Sequence, residues 1–307
     1  VSSAASDVYK RQDLLNLYMQ QRKYTEAVML CDQTLLSDQR TSKEDKNFDA
    51  LFTKGIILSE PNHSKTNYNE AIPLLQKAAK IDPKNADVYF YLGNVYARRG
   101  EGQAALDEYQ KCVTLNPKHF RAIHQIASVF AYAKEYDKAV IYFQEAIKVN
   151  PDFMDSYDSL MEVLINAGNI EDTLKVGRAG VNRSVIDHRV FYKTAWILAT
   201  CYDEKLRHPA DAELIAQTAI EKFGKTFPLF YDTLGAALAA QGKYDQAIVN
   251  ANTALELIGP NGDKPTIERI KNRLELYHNN QPYVNPAPPP PTPEPTPKPA
   301  TEPATQP

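Results

Sequence analysis

The chain has 307 residues, 35 Lys and Arg against 38 Asp and Glu, 43% apolar residues and a formal charge of −3, the composition of a folded, mildly acidic protein. That balance leaves no surplus of cations to neutralise phosphates, so nucleic acid is excluded as an expected partner. The longest apolar runs, 195–199 and 234–240, fall far short of the roughly 18 residues a bilayer-spanning helix needs, and no membrane span is expected within this chain.

Glycine is scarce, and 12 of the 21 prolines fall after residue 280, which divides the chain into a helical body and a Pro-rich end. At the start, Asp7-Val8-Tyr9-Lys10-Arg11-Gln12 resembles the translation of a sequencing adapter found in gene sequences assembled from environmental DNA. Residues 1–12 are therefore expected to be foreign, with the native N-terminus and any signal peptide or membrane domain missing; the alternative is a genuine helix start.

One short pattern recurs along the body. Tyr24-Thr25-Glu26-Ala27, Tyr68-Asn69-Glu70-Ala71, Tyr136-Asp137-Lys138-Ala139 and Tyr244-Asp245-Gln246-Ala247 each read as the opening of a helix. Leu92-Gly93 with Tyr96, Ala105, Tyr109, Cys112 and Pro117 returns 34 residues later as Ile126-Ala127 with Phe130, Ala139, Phe143, Ala146 and Pro151. This helix-turn-helix period resembles the tetratricopeptide repeat (TPR). The resemblance covers roughly 13–261 and implies an all-α, right-handed TPR superhelix of about seven units.

The expected organisation is an N-terminal array over 13–187, with units at 8–41, 48–85, 86–119, 120–153 and 154–187, and a C-terminal part over 188–279. The latter holds units at 188–227 and 228–261 and a capping helix at 264–278, where Ile267, Ile270, Leu274 and Tyr277 form one apolar stripe. In the first unit Arg11 falls where other units place Leu51, Tyr89, Ile123, Tyr157, Trp196 or Tyr231 at repeat position 4. Small residues at positions 8 and 20, Gly93 with Ala105, Ala127 with Ala139 and Gly235 with Ala247, are expected where paired helices approach closely. Helices of about 14 residues are marginal alone, so each unit needs its neighbours. Pro83, Pro117 and Pro151 end second helices.

Two departures stand out. Thr173, Gly177 and Gly180 predict a weak second helix in 154–187, and the unit around Trp196 is stretched, with its second helix opening at Pro209; a bend or break is expected between 175 and 192. Residues 280–307 are expected to be a disordered, Pro-rich tail of polyproline II character, serving as a solvated linker, a spacer or a ligand for Pro-recognising grooves.

A search for chemistry yields no catalytic constellation. The six histidines form no close ligand pair, no phosphate loop or nucleophile elbow appears, and no cofactor or metal is expected. Cys31, Cys112 and Cys201 form no CxxC pair, and Cys31 and Cys112 sit at interior repeat positions as packing residues.

What remains is a surface. In TPR proteins the first helices line a concave groove, and the resemblance places Phe52, Phe90, Tyr91, Asn94, Arg98, Arg121, His124, Gln125, Tyr132 and Asp158 on it. Aromatics flanked by donors suit an extended peptide or a helix of a protein partner; ordinary solvated side chains are the alternative. The carboxylate grip of chaperone-binding relatives is not expected, because its five positions hold Phe90, Asn94, Gln125, Asp155 and Ser159, and Asp155 repels a carboxylate.

A second resemblance lies in Ala195-Trp196-Ile197-Leu198-Ala199-Thr200, Leu206-Arg207, Asp232-Thr233-Leu234, Leu274-Glu275-Leu276-Tyr277 and Gln281-Pro282-Tyr283. These are similar to the C-terminal end of bacterial transmembrane-and-TPR O-mannosyltransferases, although Tyr202 and His208-Pro209 depart from that pattern. The functional expectation is a non-catalytic scaffold that binds a protein partner. The alternative is the soluble, substrate-recruiting arm of a membrane glycosyltransferase, which would place it outside the cytoplasm.

Overall fold

A computed structural model describes residues 13–39, 48–59, 67–183 and 185–287. The adapter-like residues 1–12, the extra residues around Pro61 to Thr66 and the tail over 288–307 lie outside the described residues. No strand occurs among those that are described, and the all-α repeat architecture expected from the sequence is what the structure shows. The chain divides into two compact units, one ending at Phe191 and one beginning at Tyr192.

Unit 1 contains α1 (13–20), α2 (Tyr24–Gln39), α3 (Phe48–Ser59), α4 (Tyr68–Ile81), α5 (Ala86–Arg98), α6 (Gly102–Leu115), α7 (Phe120–Tyr132), α8 (Tyr136–Val149), α9 (Met154–Asn166), α10 (Ile170–Val181) and the start of α11 (His188–Thr200). Unit 2 contains the rest of α11, then α12 (Pro209–Phe223), α13 (Pro228–Ala239), α14 (Tyr244–Ile258) and α15 (Lys264–His278). Several starts are set by side-chain caps: the Oδ1 atoms of Asn67, Asn85 and Asn169 accept the N–H groups of Glu70, Asp87 and Asp172, and Asp263 accepts that of Thr266.

First helices turn into second helices through one repeated device. Arg22, Gly100, Lys134, Gly168 and Gly242 have φ of 55°, 78°, 60°, 75° and 76°, the left-handed region. The next N–H reaches back five residues, from Lys23 to Tyr18, Glu101 to Tyr96, Glu135 to Phe130, Asn169 to Leu164 and Lys243 to Leu238, at 2.8 to 3.0 Å. Each bond satisfies a carbonyl that the end of a helix would otherwise leave without an intrahelical donor. α15 closes in the same way, with Asn280 at φ 53° and Gln281 donating to Leu276 at 2.9 Å.

Packing inside a unit shows which side chain fills the space beside Gly93. Ala105 is buried, but a Cβ on Gly93 would meet the ring of Tyr109, at 2.5 Å from both Cδ1 and Cε1. A Cβ on Gly55 would likewise meet Leu75, 2.7 Å from its Cγ. Where position 24 carries a large side chain, the small residue at position 8 is its socket. Where position 24 is Ala251, the backbones themselves close up, and a Cβ on Gly235 would lie 3.1 Å from the carbonyl oxygen of Ala247, the approach expected there.

α10 is a formed helix, not the weak one expected from its glycines. Gly180 admits Val190, Tyr157 and Met154 to within 2.8, 3.1 and 3.5 Å of where its Cβ would be, so the missing side chain is replaced by neighbours. Trp196 stands four residues before the end of α11, as Asn94 does in α5, which moves it from repeat position 4 to position 9; the extra residues lie in the 201–208 turn.

The expected tail over 280–307 is also shortened. Tyr283 packs 5.8 Å from Trp196, and Asn285 donates its N–H to the Thr200 carbonyl at 2.7 Å and its Nδ2 to Thr200 Oγ1 at 2.8 Å. Residues 281–287 therefore form a strap against α11 within unit 2.

Candidate functional site

All ten residues picked out by the sequence lie on the first helices α3, α5, α7 and α9 of unit 1. Their exposure differs, from buried Phe90 and Asp158 to the open Tyr132. Phe52 and Tyr91 meet edge to face at 5.6 Å, and Tyr91 meets Phe90 at 5.3 Å. Phe90 is only 8% exposed, wedged 4.8 Å from the ring of His119, which also caps α7 by accepting the N–H of Ala122. Phe90 thus belongs to the core of unit 1.

The polar residues of α5 are occupied as well. Asn94 Oδ1 accepts the Tyr109 hydroxyl at 2.9 Å, and Arg98 donates to the Ser59 carbonyl at the end of α3. These contacts lock neighbouring helices together.

On α7, His124 lies between Phe143 and Phe153, 5.1 and 5.2 Å away, with Nδ1 3.0 Å from Ser156 Oγ. Burial pushes its imidazole down to about 4, against the pull of Asp155, so it is neutral at physiological pH. Arg121 is exposed, its guanidinium 5.7 Å over Phe120, and Gln125 is half-buried beside it on α7. Asp158 on α9 is 8% exposed and faces Arg189 at 3.4 Å; Arg189 also bonds Asp155 at 2.5 Å and Asp187 at 2.7 Å. The acidity read for this stretch is met by a cation 34 residues beyond Asp155, a pairing with no local signal.

A recess of about 500 Å³ opens between α7 and α9. Phe143 and Val163 give it apolar lining, while Ser128, Lys134, Ser159, Glu162 and Asn166 add hydroxyl, ammonium, carboxylate and amide groups. Tyr132 stands at its rim and is 94% exposed. The sequence reading found Tyr132 but not Lys134 or Asn166. Lys134 belongs to the turn, whose left-handed residue is a glycine at 100, 168 and 242, and Asn166 is the last residue of α9.

All three cysteines are buried, and burial pushes the Cys31 and Cys112 thiols up to about 12, leaving them protonated. Among the described residues no group of His, Cys, Asp and Glu is placed to hold a metal ion, and no helix is long and apolar enough to cross a membrane.

The architecture that holds this recess is a series of helix-turn-helix units. Residues 63–100 match the TPR repeat, and 86–119 and 120–153 each match the tetratricopeptide repeat. A tetratricopeptide repeat protein from Parabacteroides merdae ATCC 43184 is 17% identical over 89% of this chain and 100% of that one, with a TM-score of 0.53. YrrB, described as a TPR protein with an unusual peptide-binding site, is 17% identical over 64% of this chain and 97% of its own, with a TM-score of 0.51. A crystal structure of MamA protein is 22% identical over 56% of this chain and 88% of that one, with a TM-score of 0.47. A search of curated proteins gives no match.

Proposed function

We infer that the chain is a protein-interaction scaffold, without catalysis of its own, that holds an extended segment of a partner protein in the recess between α7 and α9. The observation that carries this reading is Tyr132, 94% exposed at the rim of a recess that offers apolar lining beside hydroxyl, amide and charged groups. An open tyrosine is an amphipathic anchor: a partner that covers its ring gains apolar burial, and its hydroxyl keeps a polar contact. The groups around it suit the alternating donors and acceptors of a peptide backbone.

A peptide selected from a random display library against the full chain, titrated into purified protein, tests this. Binding is expected to protect backbone amides of α7 and α9 from hydrogen exchange. Tyr132→Ala is expected to weaken binding at least tenfold with the helical circular-dichroism signal unchanged. Protection confined to other helices, or equal affinity for the variant, overturns the assignment. Phe90, Asn94 and Arg98 are unsuitable probes because each holds the core or a helix end together.

The glycosyltransferase-arm reading finds no support in the comparisons. Of the residues that suggested it, Trp196 and Tyr283 meet at 5.8 Å within unit 2.

A further inference from the structure

Unit 2 contains a second candidate site, made of different residues from the recess in unit 1 and independent of it. Tyr192, Trp196 and Thr200 stand at repeat positions 5, 9 and 13 of α11, four residues apart and so on one face of that helix, and Asp232 stands at position 5 of α13. Arg273 of α15 crosses that face. Its Nε and Nη2 hold Asp232 at 2.9 and 2.6 Å, and its guanidinium lies 5.0 Å over the Trp196 ring. Asp232 and Arg273 are 2% and 6% exposed, so this is a built, desolvated floor.

The strap lies on that floor as a bound peptide would. Tyr283 brings its ring beside that of Trp196, 5.8 Å away and 5.4 Å from the Arg273 guanidinium, while Asn285 takes the Thr200 carbonyl and hydroxyl. Tyr283 and Asn285 are half-buried, whereas Pro282, Val284 and Pro286 between and beside them are exposed. Alternation of that kind is the signature of an extended segment read through every second side chain. Pro282 and Pro286 have no N–H to leave unsatisfied and favour the extended backbone in the residues before them. The segment is anchored by one ring, one side-chain amide and one backbone N–H, a small set of contacts whose strength comes from tethering five residues beyond α15.

We propose that the α11, α13 and α15 face of unit 2 is an extended-peptide site, filled in this chain by residues 282–286, and that its external partner is a protein segment presenting an aromatic ring followed two residues later by a side-chain amide. The tethered strap holds the site closed to weak ligands and yields only to a segment that reproduces the ring over Arg273 and the amide on Thr200. The strap thus sets the affinity threshold for a partner.

Trp196 is the sole tryptophan of the chain, so its fluorescence reports on this face directly. The probe is a synthetic peptide of the sequence Gln-Pro-Tyr-Val-Asn-Pro-Ala, that of residues 281–287. The protein is the full chain, wild type or carrying Tyr283→Ala with Asn285→Ala. The double variant is expected to show red-shifted Trp196 emission, reversed by the peptide, with an affinity at least tenfold higher than wild type shows. A control peptide with Ala in place of its Tyr and Asn is expected not to bind.

If circular dichroism shows that the double variant loses its helices, Asn285→Ala alone serves, since it removes only the side-chain bond to Thr200; it is expected to admit the peptide more tightly than wild type. Unchanged Trp196 emission, binding equal to wild type, or strap exchange between two copies seen as concentration-dependent dimers overturns the proposal. Tyr132 has no part in these measurements, so their failure leaves the reading of unit 1 standing.

Discussion

Tyr109 fills the space that a side chain on Gly93 would need. The ring edge sits 2.5 Å from the position of the missing Cβ, and the hydroxyl is tied to Asn94 Oδ1 at 2.9 Å, so the ring cannot swing aside without losing a partly buried hydrogen bond. Alanine in mid-helix normally gains about 1 kcal/mol over glycine. Here the clash outweighs that gain, and Gly93→Ala is expected to cost roughly 1–3 kcal/mol, read as a lower urea midpoint with unchanged slope. A gain in stability would show that the ring has another place to go.

Lys134 is expected to respond in the opposite sense. It holds φ at 60°, where a side chain costs on the order of 1–2 kcal/mol, while the equivalent Gly100, Gly168 and Gly242 carry no such strain. Lys134→Gly is expected to stabilise the chain by about 0.5–1 kcal/mol once the greater freedom of glycine in the unfolded state is subtracted. A thermal melt checks the sign, with Gly100→Ala as the destabilising control.

His124 sets a pH dependence. Its folded value of about 4 lies below the ordinary 6.5, so the unfolded chain takes up the proton first as pH falls. The contribution is complete above the unfolded value and is lost progressively as pH drops toward 4, amounting to about 3 kcal/mol. His124→Gln is expected to flatten that part of the decline in unfolding free energy between about pH 7 and pH 4.5. Parallel curves for variant and wild type would place the imidazole in water.

The Asp232 and Arg273 pair offers a double-mutant cycle. Burial pushes the Asp232 carboxyl up and Arg273 holds it down, so Arg273→Met leaves a desolvated acid behind. The single change is expected to cost about 3–5 kcal/mol, and pairing it with Asp232→Leu to recover most of that loss. Additive losses in denaturant would mean that the two groups do not depend on each other.

How far the molecule was legible in its sequence differs from residue to residue. Tyr24, Tyr68, Tyr136, Tyr244 and Pro209 open α2, α4, α8, α14 and α12, as their patterns indicated, because a helix start is written locally in caps and small residues. The partner of Gly93 was not legible, since positions 20 and 24 both face the neighbouring helix and only the size of Tyr109 decides between them. Phe90 occupies a groove position by register yet is buried, because the ring that covers it, His119, lies far along the sequence at the N-cap of α7. Arg189 meets Asp155 across 34 residues with no local trace. The strap was hidden by composition: proline content marks 280–307 as uniform, while the information lies in the alternation of Tyr283 and Asn285.

The way α15 finishes carries a consequence for the length of the array. Its last carbonyls are closed by the left-handed Asn280 and the Gln281 to Leu276 bond, the same corner that elsewhere leads a first helix into its mate. The corner itself is indifferent to what comes next. An engineered helix joined after Gln281 would find its junction already shaped, and would have to evict the strap to settle; extension of the stack and vacancy of the Trp196 face are therefore two results of one graft.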